Sequence, residues 1–305
     1  MGCNAVCQRV FRLGNMARHD AVTGVKMAQR LLALFLTLVL GFGPAAAEPV
    51  LRIGTTPVFL DDQIGFLQAW ARYLEQRLGQ PVRFVQRASY REIVQALKDG
   101  GVDFAWICGY PFVREEKRLH LVAVPVYQGE PLYRSYLIVP REDEATRGLA
   151  DLKGRIFAFS DPLSNSGWLY PQSRLKELGT DARHFFRRSF FTWSHRKVVE
   201  AVASGFADAG AVDGYVYDTL ARLHPELAQR TRVVDRSPPF GFPPVVAGPH
   251  TAPVDRLRLR SVLLTMADDA EGRRLLAHLN LDGFAAGDPR LFEGIRRARR
   301  MVEGP

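Results

Sequence analysis

One pattern constrains this chain more than any other. From Glu48 onward it alternates short apolar strands with amphipathic helices, and it does so in two successive runs. "VLRIGTTPV" reads as a strand, and "IGFLQAWARYLEQRLG" follows with apolar residues at helical spacing, closed by Gly79 as a C-cap. "PVRFVQ" is again a strand. "ASYREIVQALKDGG" opens a helix at Ser89, with Glu92 three residues on in the spacing of a capping box. "VDFAWIC", "LHLVAVPVY" and "YRSYLIVP" are strand-like. This order predicts an α/β domain with a largely parallel sheet.

The second run begins at "DLKGRIFAFS". It continues through a helix after "SNSG", a strand in "HFFRRSFFTW", a helix in "SHRKVVEAVASG", a strand and helix in "FADAGAVDGYVYDTL", and a strand in "TRVVD". Residues 236–249, "RSPPFGFPPVVAGP", are the most proline-rich stretch and read as a stiff crossover rather than an element interior. Helices complete the chain. The expectation is a two-lobed clamp, each lobe a mixed, mostly parallel sheet flanked by helices. Lobe 1 takes residues 48–138 plus 236–305 and lobe 2 takes 139–235, with crossings near Val139 and Asp235–Pro244.

The first 47 residues stand apart. Arg30 precedes an apolar run from Leu31 to Phe42 that ends at Ala45-Ala46-Ala47. The run is short for a membrane span and suits a secretory signal peptide cleaved after Ala47. The preceding residues are unusual for such a signal, so Met27 is the expected translation start, with a long leading region as the alternative. Removing residues 1–47 takes away five of the 41 Lys+Arg and one of the 32 Asp+Glu, leaving 36 against 31, a net of +5. That excess suits small anions at least as well as nucleic acid. No basic stripe with interleaved aromatics argues for nucleic acid, and "RRARR" at 296–300 reads as a solvated helix face. Of the cysteines only Cys108 lies beyond the leader. It has no internal partner for a disulfide.

Three junctions repeat one device, a strand that ends in small polar residues at a helix start. They are Ser89-Tyr90, Ser164-Asn165-Ser166-Gly167, and Ser194-His195. A helix N-terminus offers unpaired N–H groups and partial positive charge, hydroxyl and amide side chains add donors, and glycine permits close approach. In open α/β sheets ligands sit at the carboxyl ends of strands. Each serine alone could be an ordinary N-cap, but a cap needs one such residue and this turn supplies three. No G-x-S-x-G elbow, His-Glu metal spacing or phosphate loop points to an enzyme, a cofactor or a metal.

Several stretches in order, "SYREIVQALKDGGVDFAWICGYPFV", "DPLSNSGWLYP", "WSHRKVVEAVASGFADAGAVDGYVYD" and "SPPFGFP", resemble the phosphonate/phosphite/phosphate-binding periplasmic proteins of ABC importers. These are a branch of the two-lobed type II solute-binding proteins. The resemblance implies a non-enzymatic, monomeric, periplasmic protein that holds a small oxyanion between lobes and hands it to a membrane permease. It implies that Ser164, Asn165 and Ser166 grip the oxyanion, that Ser194-His195 open the second helix start, that Tyr90 is a cleft tyrosine, and that Asp213 faces the ligand. Asn165 stands where a hydroxyl is common. "CGYPF" replaces the usual glycine-proline loop, placing Cys108 and Gly109 at the strand end and leaving Tyr110 or Phe112 to supply the loop's tyrosine.

Cys108 has two readings, a small buried packing residue or a soft ligand for a metalloid. The second resembles the periplasmic arsenite-sensing proteins that signal to histidine kinases, although soft metal sites usually use several ligands.

Overall fold

A computed structural model describes residues 50–56 and 64–304 of the chain. The expected signal segment, residues 1–47, lies outside the described residues. In the first half of the chain, β1 (Leu51–Thr55), α1 (Ile64–Leu78), β2 (Val82–Gln86), α2 (Tyr90–Lys98), β3 (Phe104–Trp106), α3 (Gly109–Glu115), β4 (His120–Val126) and β5 (Leu132–Tyr133) follow one another. The helices close as their sequences require. Gly79 adopts φ +69° after α1, and Ser89 caps α2 by accepting from the Glu92 N–H.

The second sheet then forms from β6 (Ser135–Pro140), β7 (Ile156–Phe159), α4 (Tyr170–Glu177), α5 (Ala182–Phe185), β8 (Arg188–Phe191), α6 (His195–Ala203), β9 (Ala209–Asp213), α7 (Gly214–Leu223), α8 (Pro225–Ala228) and β10 (Thr231–Arg236). The chain returns through β11 (Phe240–Gly241) and β12 (Val245–Ala247), and ends with α9 (Pro253–Leu264), α10 (Ala270–Leu279), β13 (Gly283–Ala286) and α11 (Glu293–Glu303).

Strand order is β13-β4-β12-β3-β1-β2 in one sheet and β10-β6-β9-β7-β8 in the other, with β11-β5 as a two-stranded ribbon between the two stretches of chain. The sheets are mixed, with fewer parallel pairs than the alternating pattern predicts. β1 pairs in parallel with β2 and β3, and β7 with β8 and β9. These are pairs that intervening helices carry back to the same end. β12, β4, β13, β6 and β10 join antiparallel.

Three local expectations change. The proline-rich stretch contains β12, which lies between β3 and β4 inside the larger sheet. Its prolines are confined to the flanks, where Pro243 and Pro244 lend their carbonyls to Trp106 Nε1 and the Ile107 N–H. "HFFRRSFFTW" is only partly strand, because Asp181 accepts from the Arg183 and His184 N–H groups and starts a short helix there. Finally, Ser135–Ile138 pairs with β9, so the chain has crossed to the second sheet before Val139.

Two seams join the lobes away from the strand ends. On one side, α7 meets the end of α10. Arg222 donates to the Ala277 carbonyl at 2.9 Å, Tyr215 donates to the Leu279 carbonyl at 2.5 Å, and Asn280 Nδ2 donates to Thr219 Oγ1 at 3.0 Å. The Arg222 and Tyr215 side chains satisfy carbonyls that a helix end leaves open. On the other side, α11 packs against both α3 and α4. Two of its arginines, Arg296 and Arg299, are less solvated than expected, whereas Arg297 and Arg300 are exposed. Arg296 reaches Glu116 at 2.6 Å and Arg299 reaches Glu303 at 2.7 Å, while Ile295 is fully buried beneath them.

Gly109 explains how that helix sits so close. A β-carbon there would meet Ile295 Cδ1 at 2.5 Å. Exposed ion pairs contribute about 0–1 kcal/mol each, so the buried Ile295 carries more of this seam. Ile295→Ala should therefore cost about 2–5 kcal/mol of unfolding free energy, measured by urea denaturation. Arg300→Ala, which removes only an exposed ion pair with Glu293, should stay within about 1 kcal/mol of the native chain.

Candidate functional site

β1 and β3 end in register, with Thr55 opposite Trp106, and β7 and β8 end with Phe159 opposite Phe191. Residues that follow these ends come together in one buried cluster. From the first lobe come Tyr90, at the start of α2, and Cys108, at the cap of α3. Tyr133 comes from the crossing ribbon. From the second lobe come Asp161, Ser164, Asn165, Ser166, His195 and Asp213. Each of these is at most 3% exposed.

The turn after β7 is a widened helical turn, Asn165–Leu169, in which the Leu169 N–H reaches back five residues to the Ser164 carbonyl at 3.0 Å. Such π-type turns concentrate at functional sites because they re-aim side chains within a helix. Here the three small polar residues divide the work. Ser164 is the N-cap, accepting from the Gly167 N–H at 3.0 Å. Asn165 reaches the other lobe twice, its backbone N–H donating to Cys108 Sγ at 3.2 Å and its Nδ2 donating to the Tyr133 hydroxyl at 2.9 Å. Ser166 gives its carbonyl to the Ser135 hydroxyl at 2.7 Å.

The buried oxygens Thr55 Oγ1, Ser160 Oγ, Asn165 Oδ1 and Ser166 Oγ have no hydrogen-bond partner among the described residues. The Ser166 hydroxyl misses hydrogen-bond geometry, yet it lies close enough to Tyr133 to hold down a phenol pKa that burial otherwise raises. Orphaned buried polar atoms cost roughly 1–3 kcal/mol each, and native proteins carry few of them without a reason. Here they lie at the end of β1, just after β7 and in the turn that follows β7.

Gly167 has a role the sequence did not reveal. A β-carbon there would lie 1.9 Å from Ser160 Oγ and 3.1 Å from His195 Cε1. The glycine makes room for these two side chains rather than for an approaching anion.

His195 is the first residue of α6, and its ring is oriented by the backbone. The Asp213 N–H donates to His195 Nδ1 at 3.0 Å, which leaves the proton on Nε2, 3.4 Å from Ser164 Oγ. Burial lowers its pKa to about 3. It is therefore a neutral donor. With no lone pair turned to Ser164 it cannot take that hydroxyl's proton as a general base. Asp213 caps α7 through the Val216 N–H at 3.3 Å, and burial raises its carboxyl to about 7. Burial likewise raises the Cys108 thiol to about 11, so the sulfur is neutral. Asp161 holds the Leu163 N–H at 2.7 Å and, across the lobes, the Tyr90 N–H at 3.3 Å. Burial raises its pKa while those hydrogen bonds and Arg91 oppose the shift. The arrangement suits an oxyanion gripped by neutral donors.

Not every expected residue belongs to this group. The Tyr110 hydroxyl donates to Glu303 and its ring stacks on Trp168 at 6.0 Å, so it serves the α11 seam. Phe112 packs edge-on against Phe292 at 4.9 Å. A tyrosine does reach the group, but from the crossing ribbon: Tyr133, a residue the sequence did not single out, accepts from Asn165 Nδ2. Gly109 is placed by packing, as above. Ser194 sits at the cap of α6 without a side-chain cap bond. Thr55-Thr56 was also missed, although "GTTP" at the end of β1 shows the same small-polar signature as the other junctions.

Comparison with known proteins concerns the chain as a whole. A family model described as "ABC transporter, phosphonate, periplasmic substrate-binding protein" matches residues 53–292. The phosphate-import protein PhnD of Mycolicibacterium smegmatis is 32% identical over 160 residues, 49% of each chain. A probable phosphite-binding ABC transporter protein, PhnD1, of Prochlorococcus marinus is 24% identical over 192 residues, 60% of this chain and 65% of that one. The matched region thus spans half to two thirds of these relatives. The structure of PhnD1 with methylphosphonate superposes with a TM-score of 0.76 at 21% identity, over 84% of this chain and 99% of that one. A binding-protein component of a phosphonate ABC transporter from Pseudomonas aeruginosa gives a TM-score of 0.77 at 24% identity, covering 84% and 87% of the two chains.

Two predictions follow from the geometry. Gly167→Ala should lower unfolding free energy by about 1–3 kcal/mol by overpacking, and adding Ser160→Gly should restore most of it in urea titrations. The second prediction concerns pH. The stability gained from a neutral Asp213 is complete below about pH 4 and lost as pH rises through about 7. His195 runs oppositely, with full stability above about pH 6.5, lost as pH falls toward about 3. Asp213→Asn should therefore gain on the native chain as pH rises from about 4 to about 7, by at most about 1.4 kcal/mol per unit.

Proposed function

The chain belongs to the family of periplasmic substrate-binding proteins of phosphonate ABC transporters, and from that premise we propose that it binds a small phosphorus oxyanion between its lobes and presents it to a membrane permease. The observation that carries this reading is the set of buried, partnerless oxygens of Thr55, Ser160, Asn165 and Ser166 at the meeting strand ends. Ser166 Oγ and the His195 Nε2–H supply donors, Tyr90 and Tyr133 add phenols that burial keeps protonated, and Asp213 accepts from a protonated ligand oxygen.

The magnitudes are adequate. Hydrogen bonds to a charged group contribute about 1.5–3 kcal/mol each, and micromolar affinity needs about 8 kcal/mol. Four to six such bonds reach that value after the costs of ordering and closure. The contacts that already cross the lobes, Asn165 to Cys108 and Asp161 to Tyr90, describe a closed form, so ligand would shift an open–closed equilibrium toward it. Export to the periplasm is part of the same proposal and rests on the leader at residues 1–47.

A second reading has one observation in its favour. Cys108 is not simple packing, because its sulfur accepts the Asn165 N–H inside the cluster. A neutral arsenite could condense with this thiol, forming an As–S bond as one As–OH leaves with the thiol proton as water. The protein would then be a sensor acting on a membrane histidine kinase.

Calorimetric titration of residues 48–305 with phosphate, phosphite, methylphosphonate, 2-aminoethylphosphonate, arsenate and arsenite separates the readings. A phosphorus oxyanion should bind with micromolar or tighter affinity. Ser166→Ala should weaken it about 10- to 100-fold, and Cys108→Ser should leave it nearly unchanged. Arsenite binding that vanishes with Cys108→Ser, with no phosphorus oxyanion bound, would replace the transport reading by the sensor.

A further inference from the structure

Trp193 joins the end of β8 to the cap of α6, and it does so with φ +64°. That left-handed conformation is the territory of glycine and asparagine, and a bulky residue there is an outlier. The loop is held firmly. The Trp193 N–H donates to the Ser160 carbonyl at 2.7 Å, and the Thr192 hydroxyl donates to the carbonyls of Ser194 at 2.8 Å and Phe159 at 3.2 Å.

Burial does not account for the indole. It is 48% exposed, and the one aromatic ring it meets among the described residues is that of Phe191, at 5.9 Å. Nor is it tied to the first lobe among the described residues. Asp161 and Asn165 of the same lobe reach the first lobe, whereas no hydrogen bond or ring contact takes Trp193 there among the described residues. A large aromatic is thus presented outward from a closed protein, on a backbone that a smaller residue would fit better. Exposed Lys197 follows four residues on, with no carboxylate partner among the described residues.

Resting on the importer reading, we propose that Trp193 is the second lobe's anchor for the membrane permease, seating its indole in an apolar pocket with an acidic rim on the permease's periplasmic face. Tryptophan dominates such contacts because a rigid ring removes much apolar surface from water at small entropic cost. The placement also couples docking to the ligand. The carbonyl that holds Trp193 belongs to Ser160, whose side-chain oxygen is one of the partnerless atoms, and His195 lies two residues beyond the indole. Force on the ring reaches both sides of the oxyanion site through one short, hydrogen-bonded loop.

The test uses liposomes carrying the cognate permease–ATPase complex, titrated with protein loaded with whichever oxyanion calorimetry identifies. ATP hydrolysis is read against protein concentration. Trp193→Asn, which suits the left-handed backbone, should keep the oxyanion Kd within about twofold and raise the half-saturating protein concentration about tenfold or more. Trp193→Phe should stay nearer the native chain. A Trp193→Asn protein that stimulates hydrolysis at native concentrations overturns the inference alone. So does one that loses oxyanion affinity while its response to the permease is unchanged, because the indole would then serve the cleft. Loaded native protein that fails to stimulate hydrolysis removes the importer reading, and the anchor falls with it.

Discussion

The widened turn at Asn165–Leu169 holds the molecule's parts in relation. Its first backbone amide is bound by a sulfur from the other lobe and its first side chain by a phenol from the crossing ribbon. Its second residue gives its carbonyl to Ser135, where the second sheet begins. An ordinary α-turn would send the Leu169 N–H to Asn165 and rotate the small polar residues around the helix axis. The five-residue reach keeps Ser164 capping the helix while Asn165 and Ser166 join the buried cluster. Gly167 is what lets Ser160 and His195 pack under that turn.

The electrostatic character of the site follows from burial. A helix N-terminus attracts anions, and three such starts converge here without a lysine or arginine hydrogen-bonded into the group among the described residues. Burial keeps His195, Cys108 and the phenols uncharged and brings Asp213 close to neutrality. Donors of this kind cost little to enclose and become strong when an anion replaces the water they give up. One of the three starts is already engaged, since the carboxylate of Asp161 takes the first amide of α2 across the lobes. That bond joins the two lobes through the protein's own groups.

Much of this was legible in the sequence because it depends on local periodicity. The alternation of elements, the cap at Ser89 and the turn at Ser164–Gly167 are read from residues a few positions apart. What escaped depends on residues far apart. Tyr133 joins the cluster because β5 pairs with β11, and no local pattern near "PLYRS" announces that pairing. Tyr110 follows Cys108 by two positions, yet the first turn of α3 carries its ring away from the sulfur and toward Glu303. β12 looked like a connection because prolines flank it, but three intervening residues without proline are enough for an interior strand. The exposed Trp193 reads as one more apolar residue at the end of a strand until its backbone angle is known.

The position of β12 bears on how the chain folds as it emerges from its N-terminus. The five-stranded sheet is drawn from one continuous stretch, residues 135–236, and can complete itself as soon as that stretch has emerged. The six-stranded sheet cannot. Its centre waits for Val245–Ala247 to slide between β3 and β4, which until then have no strand to join them. Pairings across such separations are slow because the loop must close before any contact repays the cost. The lobe encoded second is thus the natural template, and the lobe encoded first is finished around it.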